Sequence, residues 1–239
     1  MAPQTGRFLG ILDLETEFPP IATLPAVGSM LNSDSYDLPV ITEVVAGGRV
    51  EAVMRGDPEL EPAFIAAAQR LVERGAVAIT SYCGAAIRYQ AALAAAVDVP
   101  VLTSSLMMVP LLLKQLPPKK KLAVLTFDSR SFNRDWLGLD SSESHDRVIV
   151  GGVEGGTLSE NERMYPPLRT ETTDIELDIS RTVARLRKDN PDIGALLFSC
   201  TLFPPATPKI RQMAELPVYD ITTLCRTTLQ SLDNSETRQ

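Results

Sequence analysis

At 239 residues, 44% of them hydrophobic, the chain is long enough for one large domain or two small lobes with real cores. A net charge of −7, from 23 basic against 30 acidic residues, argues against a nucleic-acid partner. The longest apolar run, around Leu106 to Leu113, is broken by Pro110 and falls short of the roughly 20 residues a bilayer span needs, so no membrane association is expected.

In chain order, Met1 to Arg7 has no basic segment leading into an apolar signal core, which makes the cytoplasm the expected location. Aliphatic and β-branched runs predict strands at Phe8 to Leu14, Val40 to Val45, Val77 to Ser81, Val101 to Thr103, Leu122 to Thr126, Val148 to Val150, Ala195 to Ser199 and Val218 to Ile221. Helical stretches fall between them. One is predicted over Glu59 to Arg74, with Asp57 as N-cap, Pro58 at N1 and Gly75 as the stop. Others are predicted over Ala85 to Ala96 and Asp174 to Lys188. The alternation predicts an α/β fold of mainly parallel sheets covered by helices. The basic run Lys119 to Lys121 follows two prolines and reads as a solvated linker, and Gly151 to Gly156 reads as a mobile turn or a lid.

The most informative feature is an internal repeat. Cys83 ends one apolar strand and is followed 17 residues later by Pro100; Cys200 ends another and is followed 17 residues later by Pro217, so both pairs stand 117 residues apart. The opening strands Leu9-Gly10-Ile11-Leu12 and Leu122-Ala123-Val124-Leu125 are offset by 113. Two pseudosymmetric lobes are expected, the first over 1–115 with 222–239 and the second over 116–221, with both cysteines facing one cleft beyond the strand ends. Inverting a stereocentre needs a base on each face of a carbon, and a thiol at a helix start is expected to have a lowered pKa. Cys225, in the C-terminal helix without a counterpart, reads as a small buried hydrophobe. One histidine, His145, and three cysteines without C-x-x-C spacing point to no zinc site and no disulfide framework.

The stretches Ile79-Thr80-Ser81-Tyr82-Cys83-Gly84, Val99-Pro100-Val101, Ser199-Cys200-Thr201 and Leu216-Pro217-Val218 resemble the aspartate/glutamate/hydantoin racemase superfamily. The resemblance implies a cofactor-independent racemase or epimerase, using neither metal nor pyridoxal phosphate, that moves a proton on a carbon next to a carboxylate. Cys83 and Cys200 would be the catalytic pair. Carried onto this chain, it implies substrate contacts from Glu15 and Thr16 in the first loop, Gly84 and Ala85, Thr126 and Phe127, and Thr201 and Leu202. Leu202 stands where some members carry His or Asn. The partner expected is a small carboxylate, with a homo-oligomer left open. The alternatives are a cis-trans isomerase of an unsaturated diacid, a decarboxylase, or a non-catalytic ligand-binding relative. Asp13-Leu14-Glu15-Thr16 superficially matches a D-x-D-x-T phosphatase motif, but its second carboxylate is Glu and the proline-rich sequence after it is foreign to that pattern.

Overall fold

The computed structural model describes residues 6–15, 25–164 and 166–232. Two four-stranded parallel sheets carry the fold. The first holds β1 (Phe8–Asp13), β2 (Val40–Val44), β3 (Ala76–Ser81) and β4 (Val101–Leu102) in the order β2-β1-β3-β4. The second holds β5 (Lys121–Thr126), β6 (Val148–Gly152), β7 (Ile193–Phe198) and β8 (Val218–Tyr219) in the order β6-β5-β7-β8. Each of the eight runs predicted as strands overlaps one of these. The last strand of each sheet is shorter than predicted because a side chain captures the backbone. The Thr103 N–H donates to Gln90 Oε1 at 3.0 Å, and Asp220 turns away to cap the final helix, accepting from Thr223 N at 2.8 Å.

The repeat extends to hydrogen-bond register. Phe8 pairs with Ala76 and Leu9 with Ala78, skipping one residue; Lys121 pairs with Ile193 and Leu122 with Ala195, with the same skip. Ile79 pairs with Val101 as Leu196 pairs with Val218, each 117 residues on. The central strands are buried on both faces, as a parallel sheet covered by helices requires: Leu9, Ile11 and Leu12 in β1 and Leu122 to Leu125 in β5 are fully enclosed.

In the first half the helices are α1 (Val50–Arg55), α2 (Glu61–Glu73), α3 (Gln90–Ala96) and α4 (Val109–Gln115). In the second they are α5 (Ser142–Asp146), α6 (Thr157–Asn161), α7 (Thr172–Asp189), α8 (Thr207–Ala214) and α9 (Ile221–Ser231). Helix α2 buries Phe64, Ala67, Ala68 and Leu71, one face at helical spacing, and Phe64 stacks on Tyr89 with ring centroids 4.5 Å apart. Its entry differs from the prediction. Asp57 caps a 3-10 turn over Pro58–Leu60, and the α-helix begins only at Glu61, because Pro62 has no N–H to bond back to Pro58. Gly75 stops it with φ +93°. The helix predicted over Ala85 to Ala96 likewise opens as a 3-10 turn, Gly84–Tyr89, before α3.

The closing helices cross over. Helix α4 buries Val109, Leu112 and Leu113 against Leu122, Val124, Ala195 and Leu197 of the second sheet. Helix α9 buries Ile221, Cys225 and Leu229 against Leu9, Ile11, Ala78 and Leu102 of the first. Each sheet therefore takes part of its cover from the other half of the chain, which ties the halves together by burial. Among the described residues no helix is long and apolar enough to cross a membrane.

Candidate active site

Because every strand is parallel, β3 and β7 release the chain at the same edge of their sheets, as Tyr82-Cys83-Gly84 and Ser199-Cys200-Thr201. The ladder runs one residue past each strand: Tyr82 N donates to Leu12 O and Ser199 N to Leu125 O, both at 2.8 Å. The two segments then clasp each other. The Thr201 hydroxyl donates to the Tyr82 carbonyl at 2.9 Å, and the Cα of Gly84 rests against the Ser199 carbonyl so closely that a methyl group there would collide with it. In each half, the residue after the cysteine meets the carbonyl of the residue before the other cysteine. Ser105 adds a third tie, its hydroxyl donating to Phe198 O at 2.7 Å.

Both cysteines are half-buried residues whose sulfurs are desolvated. Burial pushes the Cys83 thiol up, against the opposing pull of the Ala85 and Ala86 N–H groups. Burial pushes Cys200 up to about 12, with smaller contributions from Cys83 and Glu162, against the Leu202 N–H. This corrects the expectation of lowered thiol pKa values. The helix-start N–H groups are present, but the loss of water outweighs them. The contribution of Cys83 to the Cys200 shift places the two thiols in one electrostatic environment.

The other residues implied by the resemblance divide. The Ala85 and Leu202 N–H groups face the sulfurs, and Gly84 and Thr201 form the clasp. The Thr201 hydroxyl, expected as a donor to substrate, already donates to Tyr82. Thr126 ends β5, and Phe127 after it packs on the second core. Glu15 is exposed and engaged at the turn after β2, its carboxylate accepting from Gly47 N at 2.8 Å with Arg49 at 3.8 Å. Thr16 lies outside the described residues. Cys225 is fully buried beneath α9.

Sequence reasoning assigned no role to four ionisable groups around the thiols, Asp13, Tyr82, Glu162 and Arg169. Asp13, at the end of β1 and equivalent to Thr126, has its pKa raised by burial, against one hydrogen bond from Leu14 N at 2.9 Å. The Tyr82 hydroxyl is pushed up by burial and by the charges of Asp13, Cys200 and Glu162, while Arg169 pulls it down. Glu162 and Arg169 come from the chain between α6 and α7, after the glycine-rich stretch. Glu154 accepts from Ser129 N at 3.1 Å and from its hydroxyl at 2.6 Å, and buried Asp178 accepts from Leu158 N at 2.9 Å. Two of them carried a sequence signal, Tyr82 as a member of the first cysteine motif and Asp13 as the first carboxylate of the discarded phosphatase-like motif.

No family model matches the chain. It is 29% identical to dimethylsulfoniopropionate lyase 7 of Emiliania huxleyi over 236 residues, covering 94% of this chain and 67% of that one. It is 30% identical to the dimethylsulfoniopropionate lyase of Durusdinium sp. clade D over 222 residues, covering 89% of this chain and 70% of that one. It spans 42% of a further Emiliania huxleyi relative, dimethylsulfoniopropionate lyase 5. In fold it matches glutamate racemase from Francisella tularensis, solved with D-glutamate, with a TM-score of 0.58 at 15% identity over 95% of this chain and 81% of that one. It also matches unliganded arylmalonate decarboxylase, with a TM-score of 0.57 at 19% identity over 97% of this chain and 94% of that one. The chain belongs to the family of the dimethylsulfoniopropionate lyases, built on the fold of the aspartate/glutamate racemase superfamily.

Proposed function

We propose that this chain is a lyase that cleaves dimethylsulfoniopropionate by elimination, with Cys200 as the base. The observation that carries this reading is the desolvated thiol pair at the joined strand ends, in a chain 30% identical to a lyase of that name. The substrate is a propionate with a dimethylsulfonium group on C3, so its C2 hydrogens lie next to a carboxylate, the kind of carbon for which the two-thiol fold was read. The Cys200 thiolate takes a C2 proton and becomes a thiol. The C–H electron pair becomes the C2=C3 bond, and the C3–S bond breaks with its pair leaving on sulfur. Neutral dimethyl sulfide and acrylate result, and no acid is needed to protonate the leaving group.

A thiol at about 12 is a poor base until something favours its anion. The substrate brings that charge. A sulfonium about 5 Å away, at an effective dielectric of about 20, is worth about 3 kcal/mol, or roughly a hundredfold more thiolate. Because kcat/KM reports free enzyme and kcat the complex, kcat/KM should climb from pH 6 through pH 9 without a plateau, while kcat levels off earlier. The sign follows from the raised pKa: the active form is deprotonated and gains with pH. Dimethyl sulfide measured in the headspace by gas chromatography tests both the activity and the profile. A kcat/KM plateau below pH 7 would contradict the assignment.

A second reading, racemase or epimerase, is favoured by one observation: Cys83 and Cys200 occupy equivalent positions of the repeat, with Cys83 in the electrostatic surroundings of Cys200. Elimination requires one base, whereas inversion requires both.

A further inference from the structure

The clasp sets the two cysteines opposite each other. Gly84 meets the carbonyl of Ser199 and Thr201 donates to the carbonyl of Tyr82, so the two segments run antiparallel with Cys83 and Cys200 as their central pair. With the Gly84 Cα resting against the Ser199 carbonyl oxygen, standard backbone dimensions keep the two cysteine Cα atoms within about 10 Å of each other. Thiols carried at that spacing bracket a three-carbon acid. Both cysteines keep part of their surface open, whereas Cys225 is enclosed. The Cys83 sulfur faces two backbone N–H groups, of Ala85 and Ala86, and the Cys200 sulfur faces one, of Leu202.

Elimination leaves acrylate, an α,β-unsaturated acid, beside these sulfurs, with the C2 proton now on Cys200. Run backwards, the same chemistry adds a sulfur nucleophile at C3 and returns the proton to C2. Dimethyl sulfide diffuses away, but the Cys83 sulfur stays. We propose that Cys83 is a modification site for α,β-unsaturated carboxylates, adding to C3 of acrylate while Cys200 protonates C2, to leave an S-(2-carboxyethyl) thioether. The inference rests on the lyase reading for the origin of the acrylate. In this step the Cys83 thiol gives its proton to water, and its sulfur electron pair forms the S–C3 bond. The C2=C3 π pair takes the Cys200 proton at C2, and Cys200 regains a proton from water. No oxidant or reductant is consumed. Reversal is slow, because a sulfonium departs as a neutral sulfide whereas this thioether can depart only as the Cys83 thiolate, which burial disfavours. The adduct therefore accumulates, and the chain is gradually inactivated by its own product.

The test is peptide mass spectrometry of the wild-type chain and Cys200→Ala after timed incubation with acrylate, with iodoacetamide in parallel. Wild type should gain about 72 Da on Cys83 and nothing on Cys225. Cys200→Ala should take up acrylate at Cys83 at least about tenfold more slowly, since C2 has lost its proton donor. Iodoacetamide, which needs no proton delivered, should label Cys83 in the two chains at rates within about threefold of each other. Propanoate, which has no double bond, should slow acrylate uptake by wild type by occupying the same place. Wild type without the adduct on Cys83, or Cys200→Ala labelled by acrylate as fast as wild type, overturns the proposal. An equal fall with both reagents overturns it too, because access and not proton delivery would then be what Cys200 controls. Should Cys200→Ala expose Cys225 to iodoacetamide, the mark of a disturbed fold, the nearly isosteric Cys200→Ser decides by the same comparison: slowed acrylate uptake supports the proposal and unchanged uptake overturns it. Acrylate on Cys83 in a chain that releases no dimethyl sulfide would refute the lyase reading alone. Release of dimethyl sulfide with Cys83 left unmodified by acrylate would refute the modification site alone.

Discussion

Cys200→Ala is expected to lower turnover of dimethylsulfoniopropionate by at least about a thousandfold, since it removes the group that takes the proton while leaving the fold intact. Cys83→Ala should cost less, because elimination into a neutral leaving group needs no second proton carrier. The double variant should be no worse than Cys200→Ala, because only one of the two groups handles the proton. Cys225→Ala should keep full activity, since that thiol is enclosed beneath α9 against the first sheet, and should lose only packing stability, about 1 kcal/mol. Initial rates of dimethyl sulfide release distinguish these outcomes. Activity within tenfold of wild type in Cys200→Ala would remove Cys200 as the base. Equal and severe losses in both single variants would favour a reaction that uses both thiols.

Gly84→Ala is expected to cost both stability and rate although it adds a single methyl group. The added carbon would meet the Ser199 carbonyl, a backbone atom that cannot rotate away, at the point where the two cysteine segments interlock. Overpacking of this kind costs about 1–3 kcal/mol. The more specific consequence is that relief of the collision must displace Cys83 relative to Cys200, and a displacement of about 1 Å costs about a hundredfold in rate. Thermal melting read beside kcat tests this: both should fall, kcat by more than the loss of folded protein explains. The opposite side of the clasp gives a graded comparison. Thr201→Ser keeps the hydroxyl that donates to the Tyr82 carbonyl and should be mild, whereas Thr201→Val leaves that carbonyl without its donor and should cost about 1 kcal/mol. An unaltered melting temperature and rate in Gly84→Ala would show that the clasp does not set the thiols' positions.

The strands were legible because buried parallel strands are written as short aliphatic runs, and the repeat was legible because its landmarks recur at a fixed interval. The sequence pattern therefore led directly to Cys83 and Cys200. What it could not supply was anything decided between elements. The start of α2 was misplaced because Pro62 interrupts a periodicity that otherwise looks continuous. Helix α4, counted with the first lobe from its position in the chain, buries its apolar face on the second sheet, a choice made by surfaces far apart in sequence. The thiol pKa values were misjudged in sign because a helix start is visible in sequence and desolvation is not.

The two readings of the thiol pair separate most directly by proton NMR in deuterated water, with dimethylsulfoniopropionate, L-aspartate and L-glutamate present together with the wild-type chain. The account predicts acrylate vinyl signals growing in step with the dimethyl sulfide methyl signal, while the Cα–H signals of both amino acids persist. Loss of an amino-acid Cα–H signal to deuterium, with no vinyl signal appearing, would contradict it and assign the cysteine pair to racemisation.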